Sequence, residues 1–156
     1  MATWRGAWLI FCDRDLAELG SSLADIAAGK QPIQACVAVM LPAVLLREGE
    51  QLRHREVVWF VGNSSSVGAI VKGDSRDPTL HLIAAVFWIL TYRFQTRVRI
   101  GLVVCDSNWA DGICRLYDAD PFALANGFTT ELMPFPRDVL LRDLPTFWAW
   151  SKAFEL

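Results

Sequence analysis

The chain has 156 residues, 53% hydrophobic and 21% charged, which suffices for one domain with a real core and is too apolar for a disordered chain. A net charge of −2 and a pI near 5.6 exclude a global basic field of the kind that draws nucleic acid, leaving only a local basic face assembled from Arg93, Arg97, Arg99 and Arg115. The four cysteines (Cys12, Cys36, Cys105, Cys114) form no CxxC pair, which argues against a zinc site or disulfide framework and for buried, reduced thiols.

In chain order, Ala7 to Cys12 (AWLIFC) reads as a short buried strand. A helix follows over DRDLAELGSSLADIAAG, with Leu16, Leu19, Leu23 and Ile26 at helical spacing; Gly20 weakens its middle and Gly29 ends it. The next segment, QPIQACVAVMLPAVLLREGEQL, predicts a nearly buried helix with Pro32 in its first turn and a kink at Pro42, where a backbone donor is missing. EVVWFV is a continuous apolar, β-branched and aromatic run, the pattern of a strand covered on both faces. Asn63 or Ser64 is placed to cap a short helix reaching about Val71, and Gly73 to stop it. After the turn DSRD, Asp77 caps a long apolar helix that has Pro78 at its first position and ends near Phe94.

VRIGLVVC predicts another strand, and DSNWADGICRL a turn into a short helix. From Asp118 the chain reads as loop, broken by DADP, ANG and MPFP, and it closes on an aromatic helix candidate, LPTFWAWSKAFEL. Strands alternating with helices make this a layered α/β domain. WLIFC is too short for a signal-peptide core, and LHLIAAVFWILTY falls short of the roughly 20 apolar residues that cross a bilayer, so a soluble, intracellular protein, cytoplasmic or nuclear, is expected. Seven tryptophans leave room for some to face a partner as well as the core.

The stretch VVWFVGNSSSVGAIVKG runs strand, turn, helix, the order in which a phosphate loop or a nucleophile turn is built. It lacks the GK[ST] ending of a phosphate loop, and Lys72 stands at the far end of the helix. It lacks the second glycine of a G-x-S-x-G elbow, and neither histidine, His54 or His81, is recognisably paired with an acid. Helix capping by Asn63 or a serine accounts for the same residues. In DSNWADG, Asp106 and Asp111 are a carboxylate pair suited to a hard cation; alternatively Asp106 caps the turn and Asp111 is solvated.

Taken together, VVWFVGNSSSVGAIVKGDSRDP, the long apolar helix, the next strand and SNWADGICRL resemble the ribonuclease H-like domain of retroelement reverse-transcriptase polyproteins. That family carries a strand ending in Asp-Asn, a small-residue helix ending Lys-Gly, and a later Asn-x-Ala-Asp-x-x-Ser-Arg motif. Asn63, Lys72 and Gly73 match the first block; Asn108, Ala110, Asp111 and Arg115 match the second, with Cys114 where serine is usual. KQPIQACVAVMLPAVLL resembles the family's Lys-Gln-x-Ile helix, and the whole resemblance spans about Lys30 to Phe128.

The resemblance implies a ribonuclease H-like mixed sheet with flanking helices over 1–128, truncated in its first strands, and a tail over 129–156. It implies two magnesium ions, held by convergent carboxylates, that cleave RNA in RNA–DNA hybrids. Position by position this chain departs from that set. Gly62 stands where the strand-end aspartate belongs and Val37 where the helix glutamate belongs; only Asp111 keeps its place, with Asp106, Asp13 or Asp15 as added ligands. The resemblance therefore implies an inactive copy with no metal bound. AWLIFC is expected either to fill the vacant slot beside Val57–Val61 or to leave a gap there. A second expectation is a non-catalytic module that contacts RNA–DNA hybrid or other nucleic acid through Asn63, Lys72, Asn108 and Arg115. A third is an α/β interaction protein using FWAW, Phe147 to Trp150.

Overall fold

The computed structural model describes residues 5–8, 33–104, 107–108 and 119–132. These form a mixed α/β arrangement with two small parallel strand pairs. The first strand, β1 (Arg5–Trp8), is followed by helix α1 (Ile33–Leu52) and strand β2 (Glu56–Val61). Helices α2 (Ser64–Lys72) and α3 (Pro78–Arg93) lead to β3 (Arg97–Leu102), and the short α4 (Pro121–Ala125) precedes β4 (Thr129–Leu132).

Local chemistry sets the boundaries of the central helices. Asn63, in an extended conformation, accepts the Ser66 N–H at 2.9 Å through its Oδ1, which satisfies one of the donors orphaned at the start of α2. Gly73 ends α2 at φ 67°, a left-handed conformation that costs a glycine little, and the following N–H of Asp74 returns to the Ala69 carbonyl. Asp77 caps α3 through the N–H groups of Thr79 and Leu80, with Pro78 at the first position. Helix α1 carries a buried Pro42 inside it without a break.

The core lies between α1 and α3 and is closed by α2 and the inner face of β2. Ala38, Val39, Leu41 and Leu45 of α1 join Ile83, Ala84, Val86, Phe87 and Leu90 of α3, with Ile70 and Val61 completing the cluster. Phe87 is fully buried and meets Trp59 edge to face at a centroid distance of 6.2 Å. Residues of this kind supply about 1.5–3 kcal/mol each by leaving water.

β2 and β3 run parallel, with Glu56 opposite Arg97 and Val61 opposite Leu102. A parallel pair needs a crossover, here the two helices α2 and α3. The expectation that EVVWFV is covered on both faces is corrected by the structure. Val57 and Trp59 are half-buried and Val61 is buried, whereas Glu56, Val58 and Phe60 are exposed. One face packs on helices and the other meets water.

Of the two alternatives for AWLIFC, the described residues leave the slot beside Val57–Val61 unfilled by it. Its first residues belong to β1, which pairs in parallel with β4 in the register Arg5 to Thr129 and Trp8 to Leu132, rather than with β2. The sequence predicts loop from Asp118 onward, whereas Pro121–Ala125 and Thr129–Leu132 are regular elements. Asp120 is buried and caps α4 through the Ala123 N–H at 2.8 Å, a local cue present in the DADP turn. The helix expected over 13–29 and the aromatic helix near the C-terminus lie outside the described residues. Among the described residues no helix is long and apolar enough to cross a membrane.

Candidate functional site

The C-terminal ends of parallel strands are where α/β proteins set their functional groups. In this chain β2 ends at Val61, and Gly62 and Asn63 follow. The loop beyond β3 brings Asn108 to the same place: a Cβ on Gly62 would lie 3.2 Å from the Asn108 Nδ2. Gly62 and Asn63 thus share the strand end with Asn108.

Helix α1 reaches this end too. Ser66, buried in the first turn of α2, donates its hydroxyl proton to the Gln34 carbonyl at 2.7 Å. The same oxygen lies 3.0 Å from the Asn63 Oδ1. The first turns of α1 and α2 are therefore joined beside the strand end, and Val37 follows one turn after Gln34's neighbour Ile33, packed against the core. The two positions at which the family resemblance places acids, Val37 and Gly62, belong to elements that meet at one end of the fold. Neither carries a side-chain oxygen.

Lys72 does not join them. It lies in the last turn of α2, exposed, about 13 Å along the helix from Asn63 at 1.5 Å per residue. Asn63 and Asn108 come together, and Lys72 stands apart. Asp106, Asp111 and Arg115, along with Cys12, Cys105 and Cys114, lie outside the described residues. Among the described residues no three His, Cys, Asp or Glu side chains group as metal ligands would.

Cys36 is a free, half-buried thiol in α1. Burial pushes it up to about 11, so it is a neutral thiol at pH 7 and a poor nucleophile. At the other end of the fold, Arg53 holds Glu50 through two contacts of 2.9 and 3.0 Å, and that hydrogen bonding keeps the Glu50 carboxyl below its ordinary range.

His81 is a correction. The sequence shows no acid paired with either histidine, but the His81 Nδ1 lies 2.9 Å from the Asp74 Oδ1. The two are separated by the turn that precedes α3, so neither helical nor strand spacing signals the contact. Both groups are exposed, and the pair ties that turn to the first turn of α3. Ser75 is occupied locally, its Oγ accepting the Asp77 N–H at 3.2 Å. His54 sits in the turn before β2 at φ 60°, with its N–H on the Phe94 carbonyl.

No family model, curated protein or solved structure matches the chain. The functional reading therefore rests on the strand end and on the faces of the sheet.

Proposed function

We propose that the chain is a degenerate ribonuclease H-like domain of retroelement type that does not cleave RNA in RNA–DNA hybrids. The observation that carries this reading is the bare strand end. Gly62 stands beside Asn108, and the first turn of α2 is bonded to that of α1, the helix bearing Val37. A two-magnesium site requires several hard oxygen ligands converging on one place. Glycine and valine at two of the expected positions do not fit such a site, and we assign the chain no hydrolytic step. Asp111 is the one carboxylate the motif retains, and with Asp106 as an added ligand it is still too few to hold two ions.

The experiment is direct. The purified full chain is incubated with a labelled RNA–DNA hybrid in magnesium or in manganese. No cleavage above buffer is expected in either metal. Cleavage that disappears in Asp111→Asn would overturn the proposal, because it would show that the remaining carboxylate still supports a working site.

A non-catalytic nucleic-acid-binding module is the second reading. Asn63 and Asn108 at the strand end favour it, since amide side chains can contact a sugar–phosphate backbone without a metal. Salt-dependent binding of the hybrid in a gel shift, weakened by Asn108→Ala, would support it; no binding at low salt would dismiss it.

A further inference from the structure

The outer face of the β2/β3 pair carries an exposed ring beside an exposed arginine. Parallel register sets Glu56 beside Arg97, Val58 beside Arg99 and Phe60 beside Gly101. Phe60 is 66% exposed and Val58 59%, although both lie in the middle or end of a strand. Gly101 shapes this surface. A Cβ there would come within 3.2 Å of the Phe60 Cδ1 and 3.3 Å of its Cε1, so the missing side chain leaves room for the ring across the neighbouring strand. The result is a planar aromatic group held on a sheet, with its other side open to water.

The charges beside the ring are unequal. Arg97 is partnered by Glu56 at 3.4 Å. Arg99 is exposed and makes no ion pair or side-chain hydrogen bond among the described residues. It lies two residues before Gly101, on the same face. The face therefore offers a π-surface and an uncommitted guanidinium at neighbouring positions.

We propose that this face binds single-stranded nucleic acid, with a base stacked on Phe60 and an adjacent phosphate on Arg99. Every base has a π-face, so an aromatic ring on an open sheet is a sequence-tolerant platform, and guanidinium is well matched to phosphate. A duplex keeps its base faces stacked inside and cannot use the ring in this way. A second copy of the chain fits less well. A two-fold axis through the middle of the face would set Arg99 against its own copy, a like-charge contact at the centre of the interface. The proposal uses no residue of the strand-end site, so it stands or falls apart from the loss of the acids.

The test is fluorescence anisotropy of the full chain with labelled oligothymidine, at low salt and then at rising salt. Binding that weakens as salt rises is expected. Phe60→Ala should weaken it about 5- to 150-fold, the range that removal of one stacked base covers. Arg99→Glu should weaken it further and flatten the salt dependence. Gly101→Val should also weaken it, by displacing the ring while leaving Phe60 and Arg99 in the sequence. Far-ultraviolet circular dichroism and thermal melting establish that the variants are folded, and Phe60 and Arg99 are exposed enough for that outcome. Three results would overturn the proposal: no binding at low salt, equal binding by wild type and folded Phe60→Ala, or equal affinity for a duplex of the same length. A dimer in sedimentation that Phe60→Ala dissolves would also overturn it, assigning the face to a second copy.

Discussion

At the end of the fold where β2 begins, side chains close nearly every gap. Phe94 packs against Gly49 of α1, and the guanidinium groups of Arg53 and Arg93 lie 5.5 and 5.2 Å from the centre of its ring. Arg53 also donates to the Arg93 carbonyl, and the Thr96 hydroxyl to the Leu52 carbonyl, so the last carbonyl of α1 and of α3 is met by a side chain. At the opposite end, where β2 finishes, Gly62 faces Asn108, and the buried Ser66 hydroxyl joins α1 to α2. The first end is locked by packing against an aromatic ring. The second is held by caps and one buried hydrogen bond. A fold anchored in this way tolerates changes of side chain at the strand end.

The core joins the two ends, so its variant has the largest expected effect. Phe87→Ala should cost about 3–5 kcal/mol, read from the urea midpoint, because it removes a fully buried ring and leaves a cavity between α1 and α3. Such a loss takes both ends with it. A cost below about 1 kcal/mol would mean that the ends fold independently and that the comparison is misplaced.

Next comes the locked end. Alanine has the better helix propensity, by about 1 kcal/mol, yet Gly49→Ala should destabilise. Its Cβ would collide with the buried Phe94 ring, and overpacking of this kind costs about 1–3 kcal/mol. A rise in melting temperature would show that the ring can swing aside.

At the open end, Asn63→Ala removes the α2 cap and should cost about 0.5–2 kcal/mol in the same denaturation assay. The smallest change is expected from Gly62→Asp, within about 0.5 kcal/mol of wild type. The new Cβ would lie 3.2 Å from the Asn108 Nδ2 and 4.0 Å from the Val103 carbonyl oxygen, and the amide is a donor within reach of the carboxylate. A loss well above 2 kcal/mol from Gly62→Asp would break the comparison, since the strand end would then be as tightly built as the other.

Much of the helical framework was legible in the sequence because its signals are local. Asn63, Gly73, Asp77 and Pro78 act within three or four residues of themselves, and each lies where its chemistry requires. The strands were legible as strands, but their surroundings were not. EVVWFV is apolar at both parities, so alternation could not reveal that Val58 and Phe60 face water while Val57 and Trp59 face α3 and its neighbours. Pairing of β1 with β4 joins opposite ends of the chain, and no period or turn residue encodes it. Gly49 marked a close approach only once its partner, Phe94, was known.

The site was legible in a similar proportion. Gly62 and Asn108 do meet at one strand end, whereas Lys72, matched by sequence order alone, lies a helix length away. The Asp74–His81 pair escaped notice because it spans a turn. Arg99 was legible as a basic surface residue, but its place beside Phe60 depends on the register of two strands far apart in the chain.

That separation bears on how the protein is made. Glu56 and Arg97, neighbours across the β2/β3 pair, are 41 residues apart in sequence. No hairpin can zip such strands, and the loop-closure cost is met only when α2 and α3 turn the chain around. Strand pairing is therefore a late event in folding, slower than formation of the helices it depends on. β2 is made before β3, and until Arg97 to Leu102 joins it, Val57 to Val61 has its ladder unmade. For that interval the apolar run that the finished domain half covers has both an open edge and two open faces, the condition under which a chain aggregates.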